Sequence, residues 1–99
     1  AERWRLECKE WLDLQSAADL LRETKNDVLA QIISRQDGKS HAEKDRRARC
    51  SADWHDFRNQ MIDAEDKARR AKMRMKYHQM QFDAWRSHNA NARQERSSY

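Results

Sequence analysis

The sequence contains no proline and a single glycine, Gly38. Tight turns depend on these two residue types, so their scarcity argues against folds with many hairpins and favours long helices. Long apolar runs are also missing, and no segment approaches the roughly 18 apolar residues of a transmembrane helix. No secretory signal pattern occurs either. We therefore expect a soluble, cytoplasmic protein that does not enter a membrane.

Catalytic and metal-binding patterns are missing as well. One glycine cannot form a glycine-rich phosphate loop, and no spacing of Ser, His and Asp predicts a catalytic triad. Cys8 and Cys50 lie 42 positions apart, and neither has a second ligand beside it at metal-site spacing. We therefore expect two free thiols, no metal, no cofactor and no enzymatic activity.

Apolar residues recur every three or four positions over most of the chain, which is typical of amphipathic helices. The pattern predicts one domain over residues 1–99, with a helix at 3–35, a loop and short basic helix at 36–51, a long helix at 52–95 and a polar tail at 96–99. Ser40 and Glu43 have capping-box spacing, and Ser51 is a second candidate cap. Gly38 is expected to allow a positive φ.

The long helix carries the most regular spacing in the chain, which we call the apolar seam. It consists of Trp54, Phe57, Met61, Ala64, Ala68, Ala71, Met75, His78, Phe82, Trp85, Asn89 and Ala92. A first helix of roughly 50 Å cannot cover a partner of roughly 60 Å. We therefore predict an all-α fold, a long antiparallel helical hairpin or coiled coil that forms a homo-oligomer through the long C-terminal helix. The ten seam residues from Trp54 to Trp85 are the predicted oligomer interface.

Six basic residues and no acidic residue lie between positions 67 and 76, all of them off the seam. One interpretation is a solvated helix face, and the other is a nucleic-acid-binding surface that releases counterions from phosphates. The predicted nucleic-acid contacts are Lys44, Arg46, Arg47, Arg49, Lys67, Arg69, Arg70, Lys72, Arg74, Lys76 and Tyr77.

A second and shorter apolar stripe lies beside these basic residues. It consists of Met73, Tyr77, Met80 and Ala84, and we call it the outer stripe. A hairpin with one buried seam leaves this stripe without a partner. Three interpretations are open: the stripe packs against a further chain, or Tyr77 stacks on a base while Lys and Arg bind phosphates, or the stripe is simply exposed.

The end of the long helix resembles small helical proteins encoded by tailed bacteriophages and prophages, often beside homologous-recombination genes. The resemblance rests on Phe82, Ala84, Trp85 and Arg86, followed by the Asn, Ala, Arg and Glu run over 89–95, and it covers residues 40–97. Some of those proteins look like the recombination mediator of T-even phages, an oligomeric single-strand-binding protein that helps to load a recombinase. The resemblance implies DNA contacts at 44–49 and 67–76.

Three functions are compatible with these patterns. The first is a self-associating phage accessory protein that binds single-stranded DNA in recombination or replication in the bacterial host. The alternative is a phage-encoded interaction protein that inhibits or redirects a host enzyme, using Met73, Tyr77 and Met80. The third is a coiled-coil spacer.

Overall fold

The computed structural model describes residues 2–97, with side chains described through residue 94. These residues form three helices, α1 (Glu2–Ser34), α2 (His41–Arg49) and α3 (Ala52–Ser97). The molecule is a rod of 87 × 18 × 16 Å. The predicted all-α hairpin is confirmed. Helix α3 includes positions 96 and 97 of the predicted polar tail, whereas positions 98 and 99 lie outside the described residues.

Helices α1 and α3 pack antiparallel along the rod. The direction follows from three cross-helix pairs, because residue numbers fall on one helix as they rise on the other: Glu7 with His78, Glu10 with Arg74, and Arg22 with Glu65. Each helix turns one apolar face inward, since exposing both faces to water would cost free energy in proportion to their area. The α1 side of the contact includes Ala18, Leu29 and Ile32, all buried.

The connection between α1 and α2 follows the capping pattern expected from the sequence. The Ser40 hydroxyl accepts a hydrogen bond from the Glu43 amide at 3.2 Å, and the Glu43 carboxylate accepts one from the Lys39 amide at 3.1 Å. Gly38 does not use the positive φ that a glycine allows, since no described residue has a positive φ. The chain is close to the Lys44 side chain at Gly38, since a Cβ added there would lie 3.2 Å from Lys44 Cγ.

Ser51 joins α2 to α3. Its hydroxyl donates to the carbonyl of Ala48 and accepts from the amide of Trp54 at 3.2 Å, so one side chain links the end of α2 to the start of α3. Helix α2 lacks large apolar residues, yet it packs against both long helices, because Ala48 is fully buried in the cluster of Leu29, Ile32, Trp54 and Phe57. A small side chain there lets α2 approach both long helices closely.

Candidate nucleic-acid interface

The apolar seam is covered along most of α3 by the same chain. Trp54, Phe57, Ala68, Ala71 and Met75 are at most 8% exposed, and Met61, Ala64 and His78 are partly buried. The sequence assigned these eight residues to a contact between chains, and the structure corrects that assignment because they pack within the hairpin. Only the last two predicted interface residues remain on the surface, Phe82 at 42% and Trp85 at 60% exposure.

The basic residues at 67–76 are all exposed, and we call them the basic segment of α3. Several have partners. Arg69 and Arg70 pair with Asp66 at 3.8 and 3.0 Å, and Arg74 pairs with Glu10 at 3.3 Å. Lys72 Nζ lies 5.4 Å from the centroid of the Trp11 ring, a cation–π distance.

Lys67 and Lys76 differ from their neighbours. Within the described part of the chain, neither side chain forms an ion pair. These two lysines can therefore bind an anion without first breaking an ion pair.

The basic residues of α2 form a separate group. Arg47 donates to the Asp37 carbonyl at 2.9 Å and pairs with Glu43 at 3.0 Å, and Arg49 pairs with Asp45 at 3.0 Å. Arg46 is exposed, and Lys44 is partly buried. Because α2 packs near Trp54, its basic residues lie roughly 25 Å along the rod from Lys72, at 1.5 Å per residue. The structure does not bring the two groups into one surface.

The outer stripe lies on the side of α3 that faces away from α1. Met73, Tyr77 and Met80 are 66%, 59% and 70% exposed, and Ala84 is exposed. The Tyr77 hydroxyl accepts a hydrogen bond from Gln81 Nε2 at 3.0 Å. Its ring meets the His78 ring edge-on at a centroid distance of 5.5 Å. The tyrosine ring is therefore fixed in position and still open to solvent.

A groove that the sequence did not predict lies where the start of α1 meets α3. It has a volume of about 470 Å³, and its lining includes Arg3, Trp4, Arg5, Phe82 and Arg86. We call it the end groove. The signal that could have revealed it was the antiparallel pairing, which sets the start of α1 against residues near position 80. The spacing within each helix could not predict that Arg3 and Arg5 of α1 lie near Arg86 of α3.

Charge is distributed unevenly along the rod. Between residues 67 and 94 there are eight Lys or Arg and a single acidic residue, Asp83. Between residues 22 and 66 there are nine basic and ten acidic residues. Residues 2–21 of α1 lie in the same half as 67–94 and contain three basic and five acidic residues, so that half has eleven basic and six acidic residues. The half that contains the end groove is therefore the one suited to a polyanion.

No known protein family, curated protein or solved structure matches this chain. The similarity of residues 40–97 to phage proteins therefore stays a prediction. None of the helices in residues 2–97 combines the length and apolar character needed to cross a membrane. Within the same residues, no three His, Cys, Asp or Glu side chains are grouped so that they could hold a metal ion.

Proposed function

We propose that this chain is a non-enzymatic, self-associating protein that binds single-stranded DNA, acting in bacteriophage recombination or replication inside the host cell. One observation carries the proposal. Eight basic residues against one acidic residue occupy positions 67–94 of an exposed helix. Each Lys or Arg that meets a phosphate releases condensed counterions, so such a helix attracts nucleic acid of any sequence.

The internal ion pairs of the basic segment do not oppose this function. Arg69, Arg70 and Arg74 are more than half exposed, and their carboxylate partners are partly exposed as well. Exposed ion pairs contribute only about 0–1 kcal/mol, so an arginine can exchange a carboxylate for a phosphate at little cost. Lys67 and Lys76 are available without any exchange. Where the outer stripe is free of a second copy, Tyr77 offers a ring on which an unpaired base can stack. Stacking by Tyr77 and self-association through this stripe are therefore alternatives.

Self-association is assigned to the outer stripe, because the seam is occupied by α1. Two antiparallel copies that meet near Met80 would bury Met73, Tyr77 and Ala84 against each other. Repeating the basic segment in one particle raises the affinity for a long strand by multivalency. Sedimentation should therefore give a molar mass of at least twice the 12.0 kDa of one chain.

The test of DNA binding removes the two lysine charges that form no ion pair among the described residues. We expect Lys67→Gln/Lys76→Gln to weaken binding of a thirty-nucleotide single strand. The slope of log affinity against log salt should become shallower by about 0.7 for each phosphate that the variant no longer binds. The matched control is Arg35→Gln/Arg58→Gln, which lowers the net charge equally at exposed positions outside the basic half. Fluorescence anisotropy over a range of salt concentrations measures both.

Two results would contradict the proposal. One is an absence of binding to any DNA or RNA at about 50 mM salt, where the attraction between lysine and phosphate is strong. The other is an equal loss of affinity in both double variants, since net charge and not the position of the lysines would then govern the interaction. Substitution of Lys72 or Arg74 is a poorer test, because both contact α1.

The outer stripe also favours a second candidate function, a protein that binds and inhibits or redirects a host enzyme. Met73 and Met80 expose about two thirds of their surface, and flexible methionine side chains adapt well to a partner surface. Capture from host lysate after nuclease treatment separates the two functions. Proteins captured through nucleic acid are lost after nuclease treatment, whereas a directly bound enzyme is retained. The Met73→Lys/Met80→Lys variant should no longer capture such an enzyme.

A further inference from the structure

Phe82 and Trp85 form an aromatic surface at the end of the hairpin. Their ring centroids are 6.1 Å apart, and the planes differ by 24°, so the two rings are nearly parallel. They continue the apolar seam, yet they are 42% and 60% exposed. Exposed aromatic area of this kind costs free energy in water and is typical of a surface that binds a partner.

Arginine side chains surround these rings. The Arg86 guanidinium carbon lies 5.9 Å from the centroid of the Phe82 ring. Arg3 and Arg5, from the start of α1, are exposed and line the end groove together with Phe82 and Arg86. Trp85 lies outside that groove and lines a neighbouring one, to which Arg86 also contributes. Asp83 is the one acidic residue among the eight described residues that line the end groove. The charge around the rings therefore selects an anionic partner.

A second copy of this chain fits the end groove poorly. A contact between two end grooves would bring Arg3, Arg5 and Arg86 of both copies together, with Asp83 as the one acidic residue that each groove contributes. Like charges at the edge of a helix contact destabilise it. An anion that also presents flat apolar faces meets both features of the site, and an unpaired nucleotide has both.

We propose that Phe82 and Trp85 are a stacking platform for unpaired nucleobases, with Arg86, Arg3 and Arg5 binding the adjoining phosphates. The platform rests on the proposed binding of single-stranded nucleic acid and adds a second mode of contact. The basic segment of α3 binds the phosphate backbone of the strand through charge, whereas the platform binds the bases by stacking. A strand along α3 from Lys67 to Arg86 would span roughly 30 Å of the helix axis.

The experiment compares two oligomers that carry the same phosphates. One is a fifteen-residue oligothymidylate, and the other is an abasic strand of equal length. The variant is Phe82→Leu/Trp85→Leu, which removes both rings. The control is Leu20→Ala/Ile62→Ala, which removes exposed apolar area outside the end groove, the basic segment of α3 and the outer stripe. We expect the ring variant to bind oligothymidylate about 10- to 100-fold more weakly, a loss of about 1.4–2.8 kcal/mol, because it can no longer stack on the bases. Its affinity for the abasic strand should not change, and neither should any affinity of the control.

The outcomes distinguish this inference from the function on which it rests. If the unmodified protein binds neither oligomer, single-strand binding itself is wrong. If it binds oligothymidylate and the ring variant binds it equally well, only the platform is wrong. Sedimentation without DNA tests whether a second copy of the chain, and not a nucleotide, binds to Phe82 and Trp85. A lower molar mass for the ring variant than for the control would assign Phe82 and Trp85 to a contact between copies and overturn the platform.

Discussion

Two parts of α3 carry the same spacing of apolar side chains but have opposite exposure. From Trp54 to Met75 the seam packs against α1 and α2, and its five most buried members are at most 8% exposed. At Phe82 and Trp85 the same steps of three and four leave the rings in solvent. Spacing along a helix therefore identifies the side chains that share a face, whereas the segment lying opposite decides whether that face is core or surface.

The two parts also differ in how the charges beside them are paired. Beside the covered part, Arg22 pairs with Glu65, Arg69 and Arg70 pair with Asp66, and Arg74 pairs with Glu10. The part beyond Met75 has Asp83 as its one acidic residue up to position 94. An apolar face with basic neighbours and no cover is suited to an anionic partner, whereas the covered face contributes to stability.

The largest expected difference in stability is between two variants that each remove one tryptophan ring, one from the covered part and one from the exposed part. Trp54→Ala should lower the free energy of unfolding by about 3–5 kcal/mol, because it leaves a cavity beside Leu29, Ile32 and Phe57. Trp85→Ala should change it by less than about 0.5 kcal/mol, since its ring is mostly solvated. Urea unfolding followed by far-UV circular dichroism measures both. Equal decreases would show that Trp85 is also buried in the protein in solution.

An intermediate effect is expected from enlarging an alanine on either side of α3. Ala68 is 1% exposed, and a leucine there must push α1 away, at a cost of about 1–3 kcal/mol. The same change at exposed Ala90, which lies off the outer stripe, meets no packed neighbour and should leave the thermal midpoint almost unchanged. If Ala90→Leu proved as destabilising as Ala68→Leu, that part of α3 would be covered in solution, which a molar-mass measurement would detect.

The smallest effect is expected at the start of the covered part. Ser51→Ala removes the hydroxyl that joins the Ala48 carbonyl to the Trp54 amide, and should cost about 0.5–2 kcal/mol. Ser87→Ala is the control, because Ser87 is exposed within α3. Thermal unfolding of both variants checks this. A destabilisation at Ser87 that matched the one at Ser51 would argue against a capping role.

Much of the fold could be predicted because its signals are local. The helix predicted at 3–35 is observed at Glu2–Ser34, and the helix predicted at 52–95 is observed at Ala52–Ser97. The Ser40 cap and its partner Glu43 are three residues apart and form as expected. Periodicity, caps and the lack of proline act within a few residues of the chain, so they can be read without knowing the fold.

The candidate site was only partly predictable, because it depends on residues far apart in the chain. The basic segment of α3 was found from sequence, but the pairing of Arg74 with Glu10 and the contact of Lys72 with Trp11 were not. The docking of α2 through Ala48 was missed, since an alanine carries little signal of burial by itself. The end groove was missed because it combines both ends of the hairpin.

The sequence by itself determined three helices, their caps, the side chains that share each face and the concentration of positive charge after residue 66. These properties follow from steps of three and four residues and from a few backbone hydrogen bonds. The tertiary structure decided which part of the seam is buried, which basic residues pair with carboxylates and which arginines surround Phe82 and Trp85. Those properties depend on the register between α1 and α3, which is set by cross-helix contacts between residues more than forty positions apart.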